Sequence, residues 1–186
     1  MNLSAMEKFN FEDFRVEKAI NAVLYITRKL KRNDFHKIFK ILYFADRNHI
    51  SDYGRSITGD TYIAMNDGPV PSNLYDIFKS VRGDGFFKDN NNFSHLFNVV
   101  NWDIIQPIAE PNLKKLSKTD LEFLNNSLLE YGDLSWDEVR EKSHDYAWRN
   151  TVKNSPISLE NLVIETGNDE SYVEYLKEQM LLAKSF

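Results

Sequence analysis

The chain contains no cysteine, which excludes disulfides, thiol nucleophiles and thiolate-ligated zinc together and suits a reducing compartment. It also lacks any apolar run near the ~20 residues needed to cross a bilayer. Residues 1–14 carry acidic side chains in place of an apolar signal core, so a cytoplasmic protein with no membrane partner is expected. Positive charge is not in excess either. With a formal net charge of −5, the molecule as a whole repels a phosphate backbone, which argues against general nucleic-acid binding and leaves only a local basic face to consider. There is no His-Glu-x-x-His run, no Gly-x-Ser-x-Gly elbow and no phosphate loop. Gly83-Asp84-Gly85 lacks the strand-then-helix setting of a nucleotide site, and no internal repeat or low-complexity segment is present.

What remains is 186 residues of 42% hydrophobic content, long enough for one domain (1–186) with a proper core and short for two. Residues 35–78 organise it. Phe35, Ile38, Phe39 and Leu42 fall at helical spacing, and Ile41, Tyr43, Phe44 and Ala45 fill the remaining directions. A helix that is apolar all round is a buried one. Asn33 or Asp34 opens it, and Gly54, free to adopt positive φ, closes it. An earlier helix, capped by Asn10 and Asp13, is expected over 11–31 and should pack against it. Thr61-Tyr62-Ile63-Ala64-Met65 suits a short strand, ended by Asn66-Asp67-Gly68-Pro69 as a turn, and a further helix opens near Pro71. Residues 84–92 read as an exposed loop. Residues 96–100 and 104–106 read as strands expected to pair with 61–65. Ser117-x-x-Asp120 and Ser135-x-x-Glu138 start two helices, the second with a full capping box. Residues 158–166 and 169–183 complete the chain as helices. The expected fold class is mainly α (α+β), helical around a buried central helix with a small antiparallel sheet.

Three constellations bear on function. Asp46 and His49 lie three apart on one helical face, a spacing that metal sites use; with Asp60 they outline a metal-dependent hydrolase, to which Glu141 and His144 could contribute. The bland reading of Asp46 is a buried carboxylate accepting from Arg47, Arg55 or backbone amides, because an unpaired one would be costly. His144 and Trp148, four apart, read as a core pair on one helical face or as an aromatic anchor in an interface. Arg28, Lys29, Lys31, Arg32, Lys37 and Lys40 read as a solvated basic face or as a landing site for an acidic partner. A DNA-binding autorepressor would use that stretch with Phe35 and Phe39, but those rings belong to the predicted core, and no helix-turn-helix pattern is evident.

A resemblance adds to this reading. Tyr43-Phe44-Ala45-Asp46-Arg47, then Tyr53-Gly54-Arg55 with Ile57-Thr58-Gly59-Asp60, then Gly68-Pro69-Val70-Pro71-Ser72-Asn73-Leu74-Tyr75-Asp76, resemble the core of the SocA-like antitoxin family, the Panacea domain. Ser143-His144 followed by Trp148 resembles that family's C-terminal element. The similarity covers about residues 16–153 and leaves 155–186 as a helical extension. It implies a bacterial or phage antitoxin whose partner is a cognate toxin protein, with a cellular protease as a further partner where a member acts as a proteolytic adaptor. It implies no enzyme and no cofactor. The expected contact surface joins Arg55, Thr58 and Asp60 to Gly68, Pro69, Val70, Pro71, Asn73 and Tyr75, while Asp46, Arg47, His144 and Trp148 form a structural polar core.

Overall fold

A computed structural model describes residues 14–84 and 93–183. The cap expected at Asn10 and Asp13, and most of the loop expected at 84–92, lie outside the described residues. Among these residues are eight α-helices and two antiparallel β-hairpins, in the order α1 (Val16–Thr27), α2 (Phe35–Tyr53), β1 (Tyr62–Met65), β2 (Gly68–Pro71), α3 (Ser72–Arg82), β3 (Phe97–Val100), β4 (Ile104–Pro107), α4 (Lys118–Tyr131), α5 (Trp136–Ser143), α6 (Tyr146–Arg149), α7 (Leu159–Glu165) and α8 (Glu170–Ala183). The mainly α (α+β) class is as expected. The small sheet is two separate hairpins.

α2 is the axis of the fold and packs against α1, α4, α5, α7 and β2. Its start is fixed by the Asp34 carboxylate, which accepts from the Lys37 amide, and its end by Gly54 at φ 67°, where the left-handed backbone lets the chain reverse without a Cβ clash. Ile38, Ile41, Leu42, Tyr43 and Phe44 are buried on every side of it, as an all-round apolar helix requires. Ser117 and Ser135 each cap their helix in reciprocal capping boxes with Asp120 and Glu138.

The strand pairing differs from the expectation. β3 pairs with β4, and β1 pairs with β2, the Gly-Pro-Val-Pro stretch whose first two residues are read above as the end of a turn. Prolines are tolerated there because of which way β1 faces. Ala64 donates to Ser155, and Tyr62 and Ala64 accept from Ile157 and Asn154, so the backbone groups of residues 62 and 64 point away from β2. Pro71 and Pro69 are the partners opposite those two residues, and their missing N–H groups leave no ladder bond unmade. Residues 154–157 therefore guard the second edge of β1. Ile157, Leu159, Leu162, Val163, Val173 and Leu176, from the stretch beyond the resemblance, are all buried in the shared core.

Candidate partner-binding site

Two buried carboxylates shape the region that the sequence singled out. Asp46, 1% exposed, accepts from the backbone amides of Ile57 (2.7 Å) and Thr58 (3.1 Å), from the Tyr62 hydroxyl (2.8 Å) and from the Thr58 hydroxyl. Burial pushes its pKa up to about 6 against the opposing pull of these four donors, so it is ionised at neutral pH. Neither neighbouring arginine reaches it. Arg47 pairs with Asp145 at 2.8 Å and Glu165 at 3.5 Å, tying α2 to α6 and α7. Arg55 donates to Asp120 at 3.0 Å and Ser117 at 3.2 Å, tying the end of α2 to the start of α4.

Asp60 has a different task. α3 begins after Pro71, which offers no side-chain cap, and its first amides need acceptors. The Asp60 carboxylate supplies them from outside the helix, accepting from the Asn73 amide (2.9 Å), the Asn73 side chain (3.0 Å), the Leu74 amide (2.9 Å) and the Thr61 amide (2.8 Å). A carboxylate at a helix N-terminus is also favoured by the helix dipole. The two networks touch, because the Asp60 amide donates to the Thr58 hydroxyl, which donates onward to Asp46.

The β1–β2 hairpin is held from outside by side-chain donors. The carbonyls of Met65, Asn66, Asp67 and Pro69 accept from Trp148, Arg140, His36 and Lys40 respectively. A two-stranded hairpin alone is marginal in water; here α2, α5 and α6 fix it. Lys40, 1% exposed, reaches Pro69 at 3.0 Å, and burial lowers its pKa to about 7. The ammonium fits because position 68 has no side chain. A Cβ on Gly68 would lie 2.4 Å from the Ser143 hydroxyl and 2.7 Å from Lys40 Cε, at a φ of +99°. Gly68→Ala is accordingly expected to lower stability by about 2 kcal/mol, read as a drop in urea midpoint; an unchanged midpoint would show that Lys40 and Ser143 yield freely.

The structure places the expected contact residues in two groups. Thr58, Asp60, Gly68, Pro69 and Pro71 are buried, Arg55 is committed to Asp120, and Val70, Asn73 and Tyr75 reach the surface in part or in full. Tyr75 packs edge-on against Phe35 and Phe39, with Lys79 over its ring. His144 and Trp148 stack at 3.8 Å, but across a helix break, since α5 ends at Ser143 and α6 begins at Tyr146. His49 is fixed elsewhere, its Nδ1 donating to the Arg55 carbonyl and its Nε2 facing the Thr119 hydroxyl. Asp46 and His49 thus serve separate networks, and no group of three or more His, Cys, Asp or Glu side chains is placed to hold a metal ion among the described residues.

Lys37 and Lys40, read with the solvated basic face, are instead buried. The warning was present in the sequence: both lie inside a helix that is apolar all round. Tyr62 was missed as a donor to Asp46, and no local pattern marks a contact made 16 residues away.

These features define a mainly helical α+β protein whose polar interior secures its own loops. The model of the family described as "Antitoxin SocA-like, Panacea domain" matches residues 38–149, and the chain belongs to that family, which ties it in general to toxin–antitoxin function. No curated protein and no solved structure matches the chain.

Proposed function

We propose that the protein is an antitoxin that neutralises a cognate toxin by direct stoichiometric binding, with no catalytic step and no cofactor. The observation that carries this reading is that the polar residues of the family block are engaged with one another. Asp46, Thr58, Asp60, Tyr62 and Asn73 satisfy each other and nearby backbone amides, an arrangement that builds shape. The contact surface we propose is the outer side of the 55–60 turn and the 68–75 segment, with Val70, Asn73 and Tyr75 touching the toxin and Thr58, Asp60, Gly68, Pro69 and Pro71 holding them in position. A surface fixed in advance loses less conformational entropy on binding. Occlusion of the toxin's working site follows from such a contact; delivery of the bound toxin to a protease is the finer possibility, distinguished by the toxin's half-life during co-expression.

The test is a growth-rescue assay in which the open reading frame adjacent to this gene is expressed with and without the protein. Val70→Asp and Tyr75→Ala are expected to retain the wild-type circular dichroism spectrum and to lose protection by at least about tenfold in plating efficiency. Full protection by both folded variants would remove this surface from the account.

A further inference from the structure

On the side of α2 that carries Lys37, two grooves adjoin between the α1–α2 turn and the α4–α5 turn, sharing Lys31, Gly132 and Asp133 in their walls. Their charge runs against that of the molecule. Lys29, Lys31 and Arg32 line them with the buried Lys37 beneath, against the lining carboxylates Asp34 and Asp133, on a chain of net charge −5; Glu138 lies near enough to act on Lys37. Neither lining carboxylate neutralises the groove fully. Asp34 accepts from the Lys37 amide as the cap of α2 besides meeting Arg32 at 3.2 Å, and Asp133 meets Lys31 at 2.8 Å through two side chains that are almost wholly exposed. A pair of that kind is screened by salt and open to exchange for another carboxylate.

The grooves are also apolar in a way a solvated basic face has no need to be. Leu30 and Leu128 contribute to the lining, Leu129 is 84% exposed and Trp136 is 45% exposed. Leu129 lies off the Phe123, Leu124, Ser127 and Tyr131 face that α4 buries, so the fold makes no use of it. The walls are set in advance. Lys37 Nζ donates to the carbonyls of Tyr131 and Leu134, fixing the α4–α5 turn; the Tyr25 hydroxyl donates to Asn125, and His36 stacks on Trp136 at 4.4 Å.

We infer that these joined grooves are a docking site for an acidic amphipathic segment of a partner protein, which lays its apolar side on Leu129 and Trp136 and its carboxylates on Lys29, Lys31 and Arg32. Opposite charge across the contact guides encounter and sets register, while the leucine and tryptophan supply the desolvated anchor. The site shares no lining residue with the 68–75 surface, which it neighbours through His36, and does not rest on the antitoxin reading.

The test titrates the full chain with a synthetic peptide of about 16 residues, long enough to form helix once docked, bearing leucines at i and i+4 flanked by glutamates. A scrambled peptide of the same composition is the control, and tryptophan fluorescence is the readout. Saturable binding is expected, weakening about tenfold or more between about 50 and 200 mM salt. Lys29→Glu with Lys31→Glu should weaken it at least about tenfold, and Leu129→Ser about fivefold. Trp136→Phe should remove the signal. All four positions lie at the surface, and circular dichroism confirms that the variants fold. Equal binding of the scrambled peptide, absence of saturation, or indifference to Leu129→Ser would overturn the inference. So would a dimer, seen by sedimentation, that Leu129→Ser dissociates, since the occupant would then be a second copy of the chain.

Discussion

Asp46→Ala is expected to destabilise the protein by about 4 kcal/mol, enough to unfold a domain of ordinary stability in part at 37 °C. The substitution removes the acceptor of four donors that are all buried, the amides of Ile57 and Thr58 and the hydroxyls of Thr58 and Tyr62. Their burial leaves them without an equivalent acceptor, and the 56–60 turn loses the anchor that holds it to α2. Asp46→Asn keeps one acceptor oxygen and turns an amide donor toward groups that also donate, so it should cost about half as much. Urea unfolding of the two variants beside wild type measures this, and the ranking Ala below Asn below Asp is the expected result. If Asp46→Asn instead matched wild type in stability while abolishing a metal-dependent turnover, the carboxylate would be serving catalysis.

The second large effect is a pH dependence centred on Lys40. Its ammonium titrates near 10.5 when solvated, and burial brings it down to about 7 in the fold. Between those values the unfolded chain holds the proton and the folded protein does not, so stability rises with pH across this window. Below about pH 7 both states are protonated and the full penalty for the buried charge is present. That penalty is on the order of 4 kcal/mol. Lys40→Met preserves much of the side-chain volume without the charge, and its only hydrogen-bonding loss is the contact to Pro69. The variant is expected to be more stable than wild type at about pH 6.5, with the difference shrinking toward about pH 10. A difference that does not change with pH would show that the Lys40 charge is compensated within the fold.

The Lys40 case also marks where the sequence was legible and where it was not. Helix ends were readable because their signals are local: Asp34, Gly54, Ser117 and Ser135 act within three or four residues of themselves. The buried central helix was readable because its apolar residues leave no polar side. β2 was hidden because Gly-Pro-Val-Pro lacks the donors a strand ordinarily needs, and its tolerance of proline depends on residues 154–157 far along the chain. The role of Asp60 was hidden for the same reason, since it caps a helix that starts 12 residues later and no helical period encodes that distance. Burial of Asp46 could be anticipated from its apolar setting, whereas its partners Thr58 and Tyr62 come together only after the chain reverses at Gly54 and Gly59. Surface and interior in the 55–75 region were therefore mixed in the sequence reading. The motif residues found inside are those whose backbone or carboxylate geometry fixes the turns.

The central claim, that this protein acts by binding a toxin, is tested most directly by co-expressing it, tagged, with the product of the adjacent open reading frame and following growth and co-purification together. The account predicts restored growth and a complex that survives gel filtration at equal stoichiometry, with Val70→Asp and Tyr75→Ala losing both while staying folded. A toxic neighbour that is neither rescued nor retained by the wild-type protein would contradict it.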